Sequence, residues 1–324
     1  MKYNIALIGC GRWGKNHRKL LEDREDINLS YICDTAMKED RDGEPIITNN
    51  YHEALEDKLV DAVVIATQIG LHYEIGKDSL NAGKHVFVEK PMTDNSKDAM
   101  DLIKIAKRNK KQLMVGHVFM YNPAVQYLKQ KIDEGYLGKV LYMDARRLSS
   151  GILRERIRHY DVLWELGIHD LSMFLYLSGK KPESINASGD SLSNLSESLD
   201  DISTLNLKFN KEPINCSLTI GWAYPKVVKE LVVVGEKGTA IFDDASDNKL
   251  TFYDFVLKKG GEGVTNSYSP NLPNISPLEN QLNHFLHCIK NDVKPLSDGE
   301  NGLEIIKLLE DADKSKKEGK EVFI

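Results

Sequence analysis

Through the first third of the chain, short runs of consecutive apolar residues alternate with segments of helical periodicity. Runs at 3–8, 27–33, 61–66, 85–88 and 112–115 predict strands. Ala62-Val63-Val64-Ile65 is apolar at every position, as a strand covered on both faces must be. Between these runs, 13–21, 51–56, 74–82 and 96–109 carry the spacing of amphipathic helices. Strands separated by helices are the imprint of parallel βαβ units, so residues 1–120 predict an α/β domain with a doubly wound sheet.

The rhythm changes near Tyr121. A helix is expected over 124–134, a loop rich in arginine over 146–158, and a helical patch over 161–177. After Pro182, strand-like runs at 184–187, 204–209, 215–222, 229–234, 239–243 and 250–255 follow one another across short polar turns. Residues 121–324 therefore predict an α+β domain with a large, mainly antiparallel sheet. Residues 260–277 read as a connector. Two amphipathic helices, 278–290 and 302–319, close the chain, the last of them free to pack back on the first domain.

Composition narrows the function classes. The 324 residues carry 43 Lys+Arg against 49 Asp+Glu, a formal charge of −6. Neither a phosphate backbone nor an anionic membrane finds the clustered positive potential it needs, so no nucleic-acid or membrane partner is expected. Cys10, Cys33, Cys216 and Cys288 are scattered without metal-ligand spacing, and no metal site is expected. The start of the chain runs into an apolar strand without a signal-peptide pattern, and no apolar stretch approaches the ~20 residues that cross a bilayer. A cytoplasmic location is the expectation.

The first strand ends in Gly9-Cys10-Gly11-Arg12-Trp13-Gly14, a GxGxxG that opens the first helix. Gly9 permits the turn, Gly11 lets the backbone approach a diphosphate, and Gly14 allows close packing of helix on strand, while free amides at the helix start face the anion. The second strand ends in Asp34, 20 residues after Gly14, where a carboxylate accepts from ribose hydroxyls. These features predict a dinucleotide. An acid at that position repels a 2′-phosphate and no arginine immediately follows it, which favours NAD over NADP.

Two further stretches carry a family resemblance. Gly83-Lys84-His85-Val86-Phe87-Val88-Glu89-Lys90-Pro91 resembles the strand and Glu-Lys-Pro turn of the Gfo/Idh/MocA oxidoreductases. Trp164-Glu165-Leu166-Gly167-Ile168-His169-Asp170-Leu171-Ser172 resembles the helix of their substrate domain, which bears an acid four residues before a histidine. The run 60–67 with His72 is similar to the family's third strand and cofactor loop, with Gln68 where many members have proline and Glu165 where most have aspartate. The i, i+4 spacing predicts that Glu165 and His169 share one helix face. The resemblance implies a Rossmann domain that holds NAD through Gly9, Gly11, Arg12, Trp13, Gly14, Asp34, Thr67, Gln68, His72, Glu89 and Lys90. It also implies catalysis by Lys90 and His169, with Glu165 orienting the imidazole: the histidine takes the proton of a sugar hydroxyl as hydride leaves its carbon.

Gly11–His17, His169–Ser172 and the stretch 221–244 resemble a branch associated with nucleotide sugars, which includes 3-dehydrogenases of UDP-N-acetylglucosamine. The five arginines of 146–158 suit a diphosphate or a sugar carboxylate, and equally a solvated loop of ion pairs. Arg147, by the branch pattern, Asp161, where relatives often have asparagine, and Tyr121 join His169 as expected substrate residues. The leading expectation is oxidation at C3 of a UDP-linked N-acetylhexosamine, against a free-sugar or inositol dehydrogenase of the same family. A non-catalytic NAD(P)-binding sensor is the reading from another class. The resemblance also implies a homodimer or homotetramer, built on an apolar outer face of the second-domain sheet.

Overall fold

The computed structural model describes residues 2–150, 160–192, 199–209, 214–254 and 266–324. They fall into two compact units, Met1–Val118 with Ser276–Lys307 and Phe119–Ile275 with Leu308–Ile324.

In the first unit, β1 (Tyr3–Ile8), β2 (Ile27–Cys33), β3 (Ile46–Thr48), β4 (Ala62–Ile65), β5 (His85–Val88) and β6 (Leu113–Val115) form a six-stranded sheet in the order β3-β2-β1-β4-β5-β6. Every pair is parallel. The helices α1 (Gly14–Glu22), α2 (Tyr51–Glu56), α3 (His72–Asn81) and α4 (Ser96–Asn109) connect the strands. Asn95 starts α4 by accepting from the Asp98 amide at 2.9 Å. All four residues of β4 are buried, as its unbroken apolar run requires. The strand order reverses between β1 and β4, and ligands of such sheets bind beyond the carboxyl ends of the strands at that point.

The units divide between Val118 and Phe119, beside the expected 120, but later chain that was expected in the second domain returns to the first. Helix α7 (Pro277–Asn291) and the first half of α8 (Gly299–Glu318) belong to the first unit. The Phe285 ring meets Phe87 of β5 edge-on at 5.8 Å, and the Ser297 hydroxyl donates to the Val115 carbonyl at 2.7 Å.

The second unit opens with α5 (Pro123–Asp133) and β7 (Val140–Leu148), followed by α6 (Ile168–Ser178). Then come β8 (Ser184–Asp190), β9 (Ile202–Lys208), β10 (Asn215–Gly221), β11 (Val228–Gly235), β12 (Gly238–Asp243), β13 (Leu250–Asp254) and β14 (Asn266–Tyr268), with β15 (Val322–Phe323) at the end of the chain. Their sheet has the order β14-β13-β12-β11-β7-β10-β9-β8-β15. Only the β7–β10 pair is parallel.

Strand β7 corrects the expectation of a loop from 146 onward: Arg146 and Arg147 lie in the middle strand of this sheet. Its alternation is masked in the sequence because a charged residue, Arg147, occupies an inward position beside Met143 and Ala145. Arg154, Arg156 and Arg158 lie outside the described residues. The outer face of the sheet is also more polar than expected. Tyr142, Asp144, Thr204, Asn206 and Ser217 point outward, with Val232 and Val234 adding apolar surface on β11. Among the described residues, no helix is long and apolar enough to cross a membrane.

Candidate active site

The glycine turn of the first unit is built by close contact. Gly9 has φ +91°, and a Cβ there would lie 2.7 Å from the Ala66 backbone at the end of β4. A Cβ on Gly14 would stand 2.1 Å from the Gly9 carbonyl oxygen, so α1 starts against the turn itself. Gly11 differs: a Cβ there meets nothing within 4 Å. The turn is therefore shut on its protein side and open above Gly11, where exposed Arg12 also stands. No side chain caps α1 and its first turn holds no acid, which leaves its positive end available to an anion.

Asp34 reaches across to this turn. Its Oδ2 accepts from the Cys10 amide at 2.6 Å and its Oδ1 from the Ala36 amide at 2.8 Å. The carboxylate is thereby fixed beside the open glycine and still has lone pairs to offer hydroxyl groups. An open cradle at a helix start, with a fixed acid beside it, fits the diphosphate and ribose of a dinucleotide.

Glu89, expected at the cofactor, has internal partners. It is buried, and its Oε1 accepts from the Trp13 indole at 2.5 Å and from His17 Nε2 at 2.7 Å. Its Oε2 lies 3.2 Å from the Lys90 amide, and a Cβ on Gly116 would come within 2.8 Å of it. One carboxylate thus ties the first turn of α1 to the Lys90 backbone. Trp13, 43% exposed, keeps surface for a ligand while its indole N–H is held. The hydrogen bond with His17 was not legible, because a histidine 72 residues before an acid has no local signature.

His72 also bonds within the protein. It is 1% exposed, with Nδ1 2.8 Å from the Pro91 carbonyl and Nε2 3.2 Å from the Thr67 carbonyl. Burial holds its pKa below the ordinary value, and a neutral ring donates once, best to Pro91. The residue clamps the Glu-Lys-Pro turn to the end of β4. Thr67 is half-buried and Gln68 exposed at that strand end. Lys90, half-buried, follows β5 in a cis peptide with Pro91. Its charge and full burial pull His117 down to about 3, so that ring is neutral, burial being the larger cause. Neither His117 nitrogen finds a hydrogen-bond partner among the described residues.

In the second unit, the segment expected as one α-helix begins with a π-helical turn, Leu163–Gly167, and becomes α6 at Ile168. The π-turn, with its i→i+5 spacing, holds Glu165, and His169 stands in the first turn of α6. Both are half-exposed. The next residue, Asp170, is buried and holds Arg147 through two bonds, Nε to Oδ2 at 2.7 Å and Nη2 to Oδ1 at 2.9 Å. The guanidinium lies 4.5 Å from the Phe119 ring centroid, and Phe119 packs edge-on against His169 at 5.1 Å. Arg147, expected on substrate, belongs to a stack that carries the histidine.

Two other expected substrate residues also have internal duties. Tyr121 is 1% exposed and belongs to the core. Asp161 accepts through Oδ1 from the Leu163 and Trp164 amides at 3.0 and 3.1 Å, and through Oδ2 from Lys316. Phe119, Asp170 and Lys316 were not singled out in the sequence, because each acts on a residue remote from it or buried beneath it.

Comparison with known proteins extends this picture. A family model described as "Oxidoreductase family, NAD-binding Rossmann fold" matches residues 3–117, and one described as "GFO/IDH/MocA C-terminal domain" matches 125–241. The 2,7-anhydro-N-acetylneuraminate hydratase of Escherichia coli is 26% identical over 74% of this chain and 67% of its own length. An inositol 2-dehydrogenase/D-chiro-inositol 3-dehydrogenase of Lactiplantibacillus plantarum is 30% identical over 52% of the chain. The UDP-N-acetylglucosamine 3-dehydrogenase of Acidithiobacillus ferrooxidans is 36% identical over 40%. The matches span half the length of the inositol enzyme and 40% of the UDP-sugar enzyme.

Proposed function

The chain belongs to the Gfo/Idh/MocA oxidoreductase family, and from that premise we propose that it is an NAD-dependent dehydrogenase acting on a secondary hydroxyl of a sugar or polyol. The substrate we propose is a UDP-linked N-acetylhexosamine oxidised at C3. The observation that carries the reaction class is the construction around Lys90: Glu89 and His72 fix its turn to the glycine helix and to β4, and leave the lysine half-exposed at the carboxyl end of β5.

Gly9, Gly11, Gly14 and Asp34 hold the dinucleotide, and the acid beside the turn favours NAD over NADP. NAD, when bound, supplies the two-electron acceptor that receives hydride from the carbinol carbon. The His169 imidazole accepts the hydroxyl proton as the carbonyl forms, and the Lys90 ammonium stabilises the negative charge that develops on the oxygen. Glu165, in the π-turn that leads into α6, orients the imidazole. Association as a homodimer or homotetramer through the outer sheet face is part of the same reading, with polar side chains contributing to the contact.

One observation favours a second reading for the substrate. Arg147, the arginine read as a diphosphate ligand, is engaged by Asp170. A free sugar or inositol needs no such ligand, and one relative is an inositol 2-dehydrogenase. The test is NADH formation by purified protein on UDP-N-acetylglucosamine and on myo-inositol, with Lys90→Ala and His169→Ala as controls. Both variants are expected to keep NADH binding and lose at least 100-fold in turnover; normal turnover by either removes its assigned role.

A further inference from the structure

The last helix carries a lysine that is 14% exposed, and its ammonium faces three carboxylates. Lys316 Nζ bonds Asp161, and lies 2.9 Å from Asp200 Oδ2 and 3.0 Å from Asp313 Oδ1. Burial works against the charge, but the carboxylates outweigh it and hold the pKa above its ordinary value. The ammonium is engaged by all three carboxylates.

Each of the three acids leads to the same short stretch of chain. Asp161 caps the Leu163 and Trp164 amides. Asp313 Oδ2 accepts from the Trp164 indole at 2.7 Å. The Asp200 backbone carbonyl accepts from the Val162 amide at 3.2 Å. Three paths from one ammonium therefore end on residues 162–164, where the π-helical turn Leu163–Gly167 begins. A π-turn is rare, occurs mostly as a single turn, and persists where surrounding structure holds it. Its far side is held as well, since a Cβ on Gly167 would strike Leu163 and Ile220 side chains at 2.6 and 3.0 Å.

We propose that Lys316 is a positioning residue that sets Glu165 and His169: through Asp161, Asp313 and Asp200 it braces the start of the π-turn and so fixes where the imidazole points. This inference rests on the acid–base reading of His169. Removing the brace lets the segment relax toward an α-helix, which rotates Glu165 relative to His169 without deleting either. The charge is what matters, so arginine at this position keeps the function and methionine, similar in length and uncharged, does not.

The test uses the full chain. The imidazole signal of His169, one of nine histidines, is assigned in a proton–carbon NMR spectrum from its absence in His169→Ala. It is then compared in wild type, Lys316→Met, Lys316→Arg and Trp164→Phe, which removes the indole N–H to Asp313 along with part of the ring. Turnover of UDP-N-acetylglucosamine and of myo-inositol is measured alongside. Lys316→Met is expected to displace the His169 signal and lower kcat about 10- to 100-fold, the scale of a misplacement of about 1 Å. KM for NAD is expected to stay unchanged, and Lys316→Arg to restore both readouts. Should Lys316→Met not fold, Trp164→Phe decides, with a smaller effect in the same direction. A His169 signal that stays in place overturns the proposal, whether kcat falls or not. Full activity in His169→Ala overturns the acid–base reading instead, whatever the spectra show.

Discussion

The pair Arg147–Asp170 gives the sharpest quantitative test of the second unit. The two side chains are 7% and 2% exposed and joined by two bonds of 2.7 and 2.9 Å, with Phe119 against the guanidinium. Removing either partner strands a buried charge, which costs about 3–5 kcal/mol. Replacing both with apolar residues of similar size strands none. Arg147→Met and Asp170→Leu are therefore each expected to destabilise by about 4 kcal/mol, shifting the urea midpoint by about 1–2 M. The double variant is expected to be no less stable than either single one, a coupling of about 3 kcal/mol or more. Equilibrium unfolding can be followed in a Trp13→Phe background, where the remaining tryptophans, Trp164 and Trp222, are 8% and 5% exposed and both lie in the second unit. Additive single effects, or an Arg147→Met protein as stable as wild type, would refute the buried-pair argument and return Arg147 to the substrate.

Three further outcomes follow from the first unit. Gly11→Ala places its methyl in open space, so the melting temperature should stay within a few degrees of wild type while NADH affinity falls at least 10-fold by fluorescence titration; Gly14→Ala, 2.1 Å from the Gly9 oxygen, should lower both. His117 has its pKa pulled from 6.5 to about 3, so the native state resists a proton that the unfolded chain accepts. Its contribution is complete above pH 6.5 and is lost as pH falls from there toward 3, at up to about 1.4 kcal/mol per pH unit. Stability measured at pH 7 and at pH 5 should therefore differ less in His117→Phe than in wild type, and an equal difference in the two proteins contradicts the assignment. Asp34→Ala should weaken NAD more than NADP in parallel titrations, and an unchanged preference removes the ribose argument.

What the sequence made legible was local. The runs at 3–8, 27–33 and 85–88 coincide with β1, β2 and β5, and the helices 51–56 and 96–109 with α2 and α4, because apolar periodicity and the glycine turn are written within a few residues. Strands β3 and β15, of three and two residues, are too short to show a period. Marked residues were also easier to find than their directions. Arg147, Asp161, Glu89 and His72 stand out as polar groups in unusual places, yet each turns inward to a partner that spacing does not reveal. Lys316 is 155 residues from Asp161, and Trp13 is 76 from Glu89. The π-turn was illegible for another reason: it depends on how that brace holds the backbone, while the residues themselves read as an ordinary helix.

The most direct test of the central claim is NADH formation, followed by absorbance, when the purified protein is given NAD with UDP-N-acetylglucosamine, its uronate, free sugars or myo-inositol. A partner aminotransferase is included to draw off an unstable ketone. The expected result is turnover with UDP-N-acetylglucosamine that disappears in Lys90→Ala and His169→Ala; turnover confined to free polyols would move the substrate to the second reading. NAD binding without NADH from any member of the panel would contradict hydride transfer from a sugar hydroxyl and favour a cofactor sensor.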